Sequence, residues 1–355
     1  MGDERKVFRI AFPHDWNADC SGMLAMTAAS NWSLHPIGIL ASSPVPVLDP
    51  ASPNATAIFH LFIVVFLICM GILAIVVTLI GVSLVRFRVA GGAIPAQNFG
   101  SDRAEIAWTV PPVLIVLFLA VFSAKLILSA TARAAPEVAG PGDADLIVIG
   151  HQWWWEVRYP GSGVVTANEI HIPIGRRFLV RVDSADVIHS FWVPQLAPKM
   201  DMVPGQHNFV YLEADAAGVY DGACSEFCGD QHAWMRFIVI AESPDEYNNW
   251  LVRQTPVAHA PVGALAEAGR SLFFAQTCIN CHAIGGTSAV ADAAPDLTHL
   301  ATRRQLAAGV ITNSPYNLAL WLRNPQDVKP GCKMPNFNLN DEQVTQLTAY
   351  LEGMK

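Results

Sequence analysis

Apolar residues recur with different periods in successive parts of the chain. From Ala55 to Val85 no charged residue occurs, and Ile63-Val64-Val65-Phe66-Leu67-Ile68 lies inside this run. A helix needs roughly twenty apolar residues to cross a bilayer, so a span is predicted over about 57–85. A second is predicted over about 106–128, with Ile106 to Ala124 apolar and Trp108 and Pro111-Pro112 near its start. Proline is tolerated in a first turn, Trp suits an interface, and Lys125 can snorkel at the far end. Arg86, Arg88 and Arg103 lie between the spans, whereas no Lys or Arg occurs from Phe12 to Val85. This bias puts the connector in the cytoplasm and both ends outside, a transmembrane hairpin over residues 55–133.

Beyond Arg133 the apolar runs shorten. Leu146-Ile147-Val148-Ile149, Phe178-Leu179-Val180-Arg181-Val182, Asn208-Phe209-Val210-Tyr211-Leu212 and Phe237-Ile238-Val239-Ile240 are bounded by turn residues. They predict an all-β sandwich or barrel over residues 134–255. Pro256 to Val262 reads as a linker, set at 256–263. An amphipathic helix over Ala264–Gln276 and a closing helix over Asp341–Gly353, with Asn340 as N-cap, predict an all-α domain over 264–355. Residues 1–54 carry Arg5, Lys6 and Arg9 ahead of a stretch rich in Pro, Ser, Ala and Asn. The run from Ile37 to Ser43 is a poor signal-peptide core, so this part is taken as an extension or as a cleaved or disordered segment.

The 355 residues are 52% hydrophobic and only 15% charged, which fits a membrane-anchored protein of two or three domains. The formal net charge of −8 is uneven. Residues 135–255 hold 16 acidic and 7 basic side chains, whereas 256–355 hold 7 of each. An acidic β domain either steers a basic redox partner or simply solubilises the surface. Basic clusters are absent, which argues against nucleic-acid binding.

The seven cysteines, at 20, 69, 224, 228, 278, 281 and 332, are spaced for cofactor ligation rather than for a disulfide framework. Cys224, Cys228, His232 and Met235 fall in one loop, and Gly222 and Gly229 argue against a continuous helix there. Soft sulfur with imidazole selects copper, and a thioether is an odd choice for zinc. A mononuclear blue-copper site needs one Cys, and here there are two. If both thiolates bridge two copper ions, His189, His232, Met235 and the Glu226 carbonyl complete two four-coordinate sites. The competing reading is a buried cysteine pair or a disulfide. In His151-Gln152-Trp153-Trp154-Trp155, alternation along a strand forbids all three indoles facing one core, and puts Trp153 and Trp155 on one face if the strand is regular. Cys278-Ile279-Asn280-Cys281-His282 is the attachment signature of a c-type haem, with His282 as axial ligand. Met334 supplies the second axial ligand; His299 is the alternative, and Cys332 reads as a structural thiol.

The loop Cys-Ser-Glu-x-Cys-Gly-x-x-His-x-x-Met (224–235), the His-Ser-x-x-Val-Pro run from His189 to Pro194 and the run from Lys199 to Gly205 resemble subunit II of the haem-copper oxidases, the cytochrome c oxidase family. The likeness covers about Pro53 to Val252, and the C-terminal part resembles a class-I cytochrome c throughout. It implies a multidomain membrane protein: a two-helix hairpin, a cupredoxin-like Greek-key barrel and a fused cytochrome c domain. It also implies electron uptake at Trp153, for which simple packing is the alternative; the family usually has Tyr where Trp154 stands. The Glu226 carboxylate is implied to help hold a magnesium ion shared with the catalytic subunit, or else is a solvated charge. Glu105 is implied to lie at the mouth of a proton path, or else is an interfacial carboxylate. No residue here suits oxygen binding, and His60 is the only histidine in the spans, so oxygen chemistry falls to subunit I, with subunit III alongside. The electron donor is a cytochrome c or a quinol-cytochrome c reductase. The location is a bacterial cell membrane, with the copper and haem domains outside. The tether makes transfer between the two centres intramolecular, at an effective concentration set by the linker. Two alternatives remain: the electron-input subunit of a copper-containing nitric oxide reductase, and a free-standing membrane-tethered carrier.

Overall fold

The computed structural model describes residues 45–88, 100–130, 144–254 and 262–355. The expected extension lies outside these as far as residue 44, and the expected linker as far as residue 261.

Two long helices come first, α1 (Pro53–Arg86) and α2 (Asp102–Ala130). The Ser52 hydroxyl accepts from the Ala55 amide at 3.0 Å and Pro53 takes the first helical position, so the start of α1 is well capped. The most apolar stretches of both helices are unburied. Leu67, Leu79, Leu84, Leu114 and Val116 point outward, a surface suited to lipid. Both helices begin four residues before the apolar pattern does. In α2 the extra turn carries Asp102, Arg103 and Glu105, which no hydropathy window would include. Pro111 and Pro112, expected at the helix start, therefore lie inside the helix. Membrane helices tolerate interior proline because neighbouring groups satisfy the freed carbonyls.

The segment leading into α1 is fastened to the β domain. The Ala51 amide donates to Gln195 O at 2.8 Å, Asp215 N donates to Ala51 O at 3.0 Å, and the Ser52 hydroxyl donates to Leu196 O at 2.6 Å. A boundary at residue 54 thus cuts through ordered structure.

The β domain comprises β1 (Leu146–His151), β2 (Trp154–Tyr159), β3 (Val164–Ala167), β4 (Glu169–Pro173), β5 (Phe178–Ser184), β6 (His189–Trp192), β7 (Met200–Met202), β8 (Asn208–Leu212), β9 (Gly218–Cys224) and β10 (Arg236–Glu242). They form two five-stranded sheets, ordered β3-β2-β1-β5-β8 and β4-β10-β9-β6-β7. The pairs β1/β5 and β4/β10 are parallel and the rest antiparallel. The two sheets form the expected cupredoxin-like sandwich or half-barrel. In strand β5, Phe178, Val180 and Val182 are buried while Leu179 and Arg181 are less so, the period-2 alternation of a sheet with one face on a core. Trp155, Phe191 and Phe237 fill the space between the sheets, with ring centroids 4.9–6.1 Å apart. Helix α3 (Pro244–Arg253), not foreseen from the sequence, starts at a Ser243/Glu246 capping box and packs Tyr247 and Trp250 into the same core.

The C-terminal domain holds α4 (Ala264–Ala275), β11 (Gln305–Leu306), β12 (Ile311–Thr312), α5 (Pro315–Arg323), α6 (Pro325–Val328) and α7 (Asp341–Leu351). Helix α7 begins at the expected Asn340, in a capping box with Gln343. It crosses α4 so closely that a Cβ on Gly269 would lie 2.0 Å from Gln346 O. This domain docks directly on the β domain. The Arg236 amide donates to Ala308 O at 3.1 Å, Gln254 Nε2 donates to Thr302 Oγ1 at 3.1 Å, and the Glu169 carboxylate accepts from the Arg304 and Gln305 amides at 2.5 and 2.9 Å. The proximity of the two domains is therefore set by a built interface rather than by linker length.

Candidate metal centres

Strands β6 and β9 and the loop after β9 bring every sequence-predicted copper donor together. Cys224 Sγ lies 3.8 Å from Cys228 Sγ, 3.9 Å from His189 Nδ1 and 3.2 Å from Glu226 O. Cys228 Sγ lies 3.7 Å from His232 Nδ1 and 3.8 Å from the Met235 sulfur. A disulfide needs about 2.05 Å between sulfurs, so the two thiols are unbonded. At 3.8 Å they leave room for a soft metal at about 2.3 Å from each. The donor set therefore fits copper.

The polypeptide pre-orients this set. His189 Nε2 donates to Asp186 Oδ1 at 2.8 Å, which fixes the tautomer and leaves Nδ1 facing the sulfurs. The Gln152 and Val187 amides also donate to Asp186 and, against the opposing effect of burial, help hold its carboxyl below the usual range. Burial alone would lower the His189 pKa, but hydrogen bonds with Cys224 and Asp186 raise it. A hydrogen bond from Cys228 holds the Cys224 thiol far below the ordinary thiol range, and sharing that proton pushes Cys228 up. Gly150 makes room for the histidine: a Cβ there would lie 2.8 Å from His189 Cδ2.

A cavity of about 400 Å³ between the C-terminal domain and the β domain is lined by Cys278, Cys281, His282 and Met334. These are the four residues expected to hold haem. His282 Nδ1 donates to Pro295 O at 2.7 Å, leaving Nε2 for a metal, and burial lowers its pKa so that the neutral, ligating form prevails. Arg303 also lines the cavity; its Nε is buried without a partner among the described residues, which suits an anionic group such as a haem propionate. His299 does not line the cavity.

The three tryptophans separate where the strand breaks. Strand β1 ends at His151 and β2 starts at Trp154, so Trp153 sits in a turn and does not share a face with Trp155. Trp155 is fully buried in the sandwich, and Trp154 packs on Ala167 and on Ala308 of the C-terminal domain. Trp153 lines the haem-sized cavity, and its Nε1 donates to Cys228 O at 3.0 Å. Glu226 is exposed on the ligand loop beside Phe227, which is 75% exposed. Glu105 is exposed in the first turn of α2, remote in the chain from both sites.

A protein of Alkalihalophilus pseudofirmus described as cytochrome c oxidase subunit 2 is 36% identical over 322 residues, 90% of this chain and 93% of that one. This chain belongs to the cytochrome c oxidase subunit II family. Its namesake in Bacillus subtilis is 32% identical over 283 residues, 76% of this chain and 80% of that one. The subunit II transmembrane-domain family matches residues 43–126, the subunit II periplasmic-domain family residues 163–242, and the cytochrome c family residues 266–355. A solved periplasmic domain of cytochrome oxidase subunit II from Bradyrhizobium japonicum is similar at 28% identity and a TM-score of 0.31, over 33% of this chain and 96% of that one. The subunit II family implies copper, the cytochrome c domain implies haem, and the chain is a membrane protein with a periplasmic domain that assembles with oxidase subunit I.

Sequence reasoning missed Asp186, Arg303 and the interdomain contacts. Asp186, three residues before His189, carried a faint signal, since a metal-bound histidine usually donates to a nearby carboxylate.

Proposed function

We propose that the chain is the electron-input subunit of a respiratory cytochrome c oxidase, with a dinuclear copper centre on His189, Cys224, the Glu226 carbonyl, Cys228, His232 and Met235. A haem c would be held by Cys278, Cys281, His282 and Met334, which line one cavity. The observation that carries this reading is the convergence of four further donors around two unbonded cysteine sulfurs 3.8 Å apart. One thiolate too many for a mononuclear site, together with a complete second ligand set, favours two metal ions.

Bound copper and haem supply reversible one-electron uptake. The chain's own residues fix the arrangement. Asp186 and Pro295 O each hold one histidine tautomer, and the buried sandwich keeps water from the sulfurs. Trp153 is the residue of electron uptake into the copper domain, supported by its position between the cavity and Cys228. The exposed Glu226 carboxylate is available to a magnesium ion shared with subunit I, and the exposed Glu105 to the mouth of a proton path there. Subunit III, and a cytochrome c or quinol-cytochrome c reductase as donor, complete the assembly. It lies in a bacterial cell membrane with the copper and haem domains on the outer side. Oxygen reduction and proton translocation take place in subunit I.

Purification of the intact complex tests this reading. An a-type haem with oxygen uptake supports it. Nitric oxide turnover, or isolation of this chain without a partner, contradicts it.

A further inference from the structure

Lys329, between α6 and Met334, is 3% exposed. A lysine ammonium is rarely buried unless its hydrogens are satisfied. Here Nζ donates to Trp153 O at 3.1 Å, Trp234 O at 3.0 Å and Ala307 O at 3.1 Å. Three hydrogens meet three carbonyls, which uses the donor capacity of an ammonium in full. The carbonyls belong to three separate segments. Trp153 is in the turn between β1 and β2 and bonds to Cys228 O. Trp234 is in the copper-ligand loop, between His232 and Met235. Ala307 is in the turn between β11 and β12, in the cytochrome domain itself.

Among the described residues, the other side-chain hydrogen bonds across this interface each join one segment of the β domain to the cytochrome domain. The Glu169 carboxylate accepts from the Arg304 and Gln305 amides, and Gln254 donates to Thr302. Lys333 stands over the Trp153 ring, 5.8 Å from its centroid, donates to Gln152 Oε1 at 3.2 Å and lies 3.8 Å from Asp186 Oδ2, but it is exposed and bonds nothing in the ligand loop among the described residues. Lys329 alone among these joins the cytochrome domain to both the Trp153 turn and the ligand loop. An apolar side chain of equal length could fill the space, yet it would leave three converging carbonyl dipoles without a donor. Burial pushes the ammonium down to about 7, while hydrogen bonds to the charged form act in the opposite sense.

We propose that Lys329 is a positioning residue for electron transfer between the two redox sites, pinning the cytochrome domain, the Trp153 turn and the copper-ligand loop to one another through three main-chain carbonyls. The proposal rests on the functional reading above, in which the β domain holds copper and the cavity holds haem.

The test uses Lys329→Met in the intact oxidase, with two readouts. The first is hydrogen exchange at the Arg236, Arg304 and Gln305 amides, which cross the interface, against Val239 in the β core. The interface amides are expected to exchange at least about tenfold faster, with Val239 unchanged. The second is the rate at which copper is reduced after rapid photoreduction of haem. It is expected to fall by about tenfold or more, because small misplacements of reacting groups are costly. Both absorption spectra and both midpoint potentials should stay as in the wild type. Wild-type exchange, or a wild-type transfer rate whatever the exchange, overturns the proposal. If Lys329→Met does not assemble, Lys329→Arg keeps the cation but cannot aim three hydrogens at three carbonyls. A slowed transfer with intact spectra then supports the proposal, and a wild-type rate overturns it. A wild-type complex lacking haem or copper overturns the functional reading and this proposal with it.

Discussion

Trp153 and Cys228 are joined by a hydrogen bond from the indole Nε1 to the Cys228 carbonyl, 3.0 Å long, and Gln152 Nε2 donates to the same oxygen at 2.8 Å. Trp153 also lines the cavity that gathers Cys278, Cys281, His282 and Met334. One side chain thus bonds the main chain of a proposed copper ligand and lines the proposed haem cavity.

Trp153→Phe removes the N–H but keeps an aromatic ring, and Gln152 still serves the carbonyl. Copper content should be unchanged, while reduction of copper by haem slows on the order of tenfold. Transient absorption after photoreduction of haem measures it. Loss of copper would instead show that Trp153 only packs the ligand loop.

Met235→Leu conserves volume in a fully buried position, so the stability cost should stay below about 1.5 kcal/mol. The copper absorption should shift and oxidase turnover slow, with the haem spectrum unchanged. An unaltered copper spectrum would remove Met235 from the ligand set.

Gly150→Ala places a methyl 2.8 Å from His189 Cδ2. Overpacking of this kind costs about 1–3 kcal/mol, and the ring can yield only by turning Nδ1 away from Cys224. Copper occupancy should fall while haem attachment is normal, as read by metal analysis beside the haem spectrum. Full occupancy would show that the strand yields and the ring does not.

Burial pushes the Glu169 carboxyl up to about 7, against the Arg304 and Gln305 amides that lower it. Undocked and solvated, it would titrate near 4.5. The docked state therefore holds its proton where the undocked state has lost it. This contribution to docking is complete below pH 4.5 and is lost as pH rises through 7, a change of about 3 kcal/mol. Exchange of the Arg304 and Gln305 amides should accelerate from pH 5 to 8 beyond the intrinsic trend, and Glu169→Gln should abolish the excess. A Gln variant with the wild-type pH dependence would refute this.

What the sequence made legible was local. Cys224, Cys228, His232 and Met235 share one loop, and Cys278 to His282 are contiguous, so their spacing speaks before any fold is known. Residues 55–85 and 106–124 betray the spans by length of apolar run alone. What it hid depends on distant pairs. Lys329 and Glu169 look like solvated charges until the two domains meet. Trp154 reads as a strand residue until Ala308 covers it. The polar turn at Asp102–Glu105 belongs to a membrane helix only through its hydrogen bonds, which composition does not register. Helices α3 and α5 each open on a proline, Pro244 and Pro315, which reads as a turn residue until the fold shows it at a first helical position.

In the proposed function two thiolates share two copper ions, while Cys278, Cys281, His282 and Met334, which line the cavity, hold a haem. Copper and iron analysis of the purified chain, with protein quantified by amino-acid analysis, tests it most directly. Two copper ions and one covalently bound haem iron per chain are expected, and Cys228→Ser should abolish the paired copper without changing the iron. One copper per chain, or zinc in its place, would contradict the account.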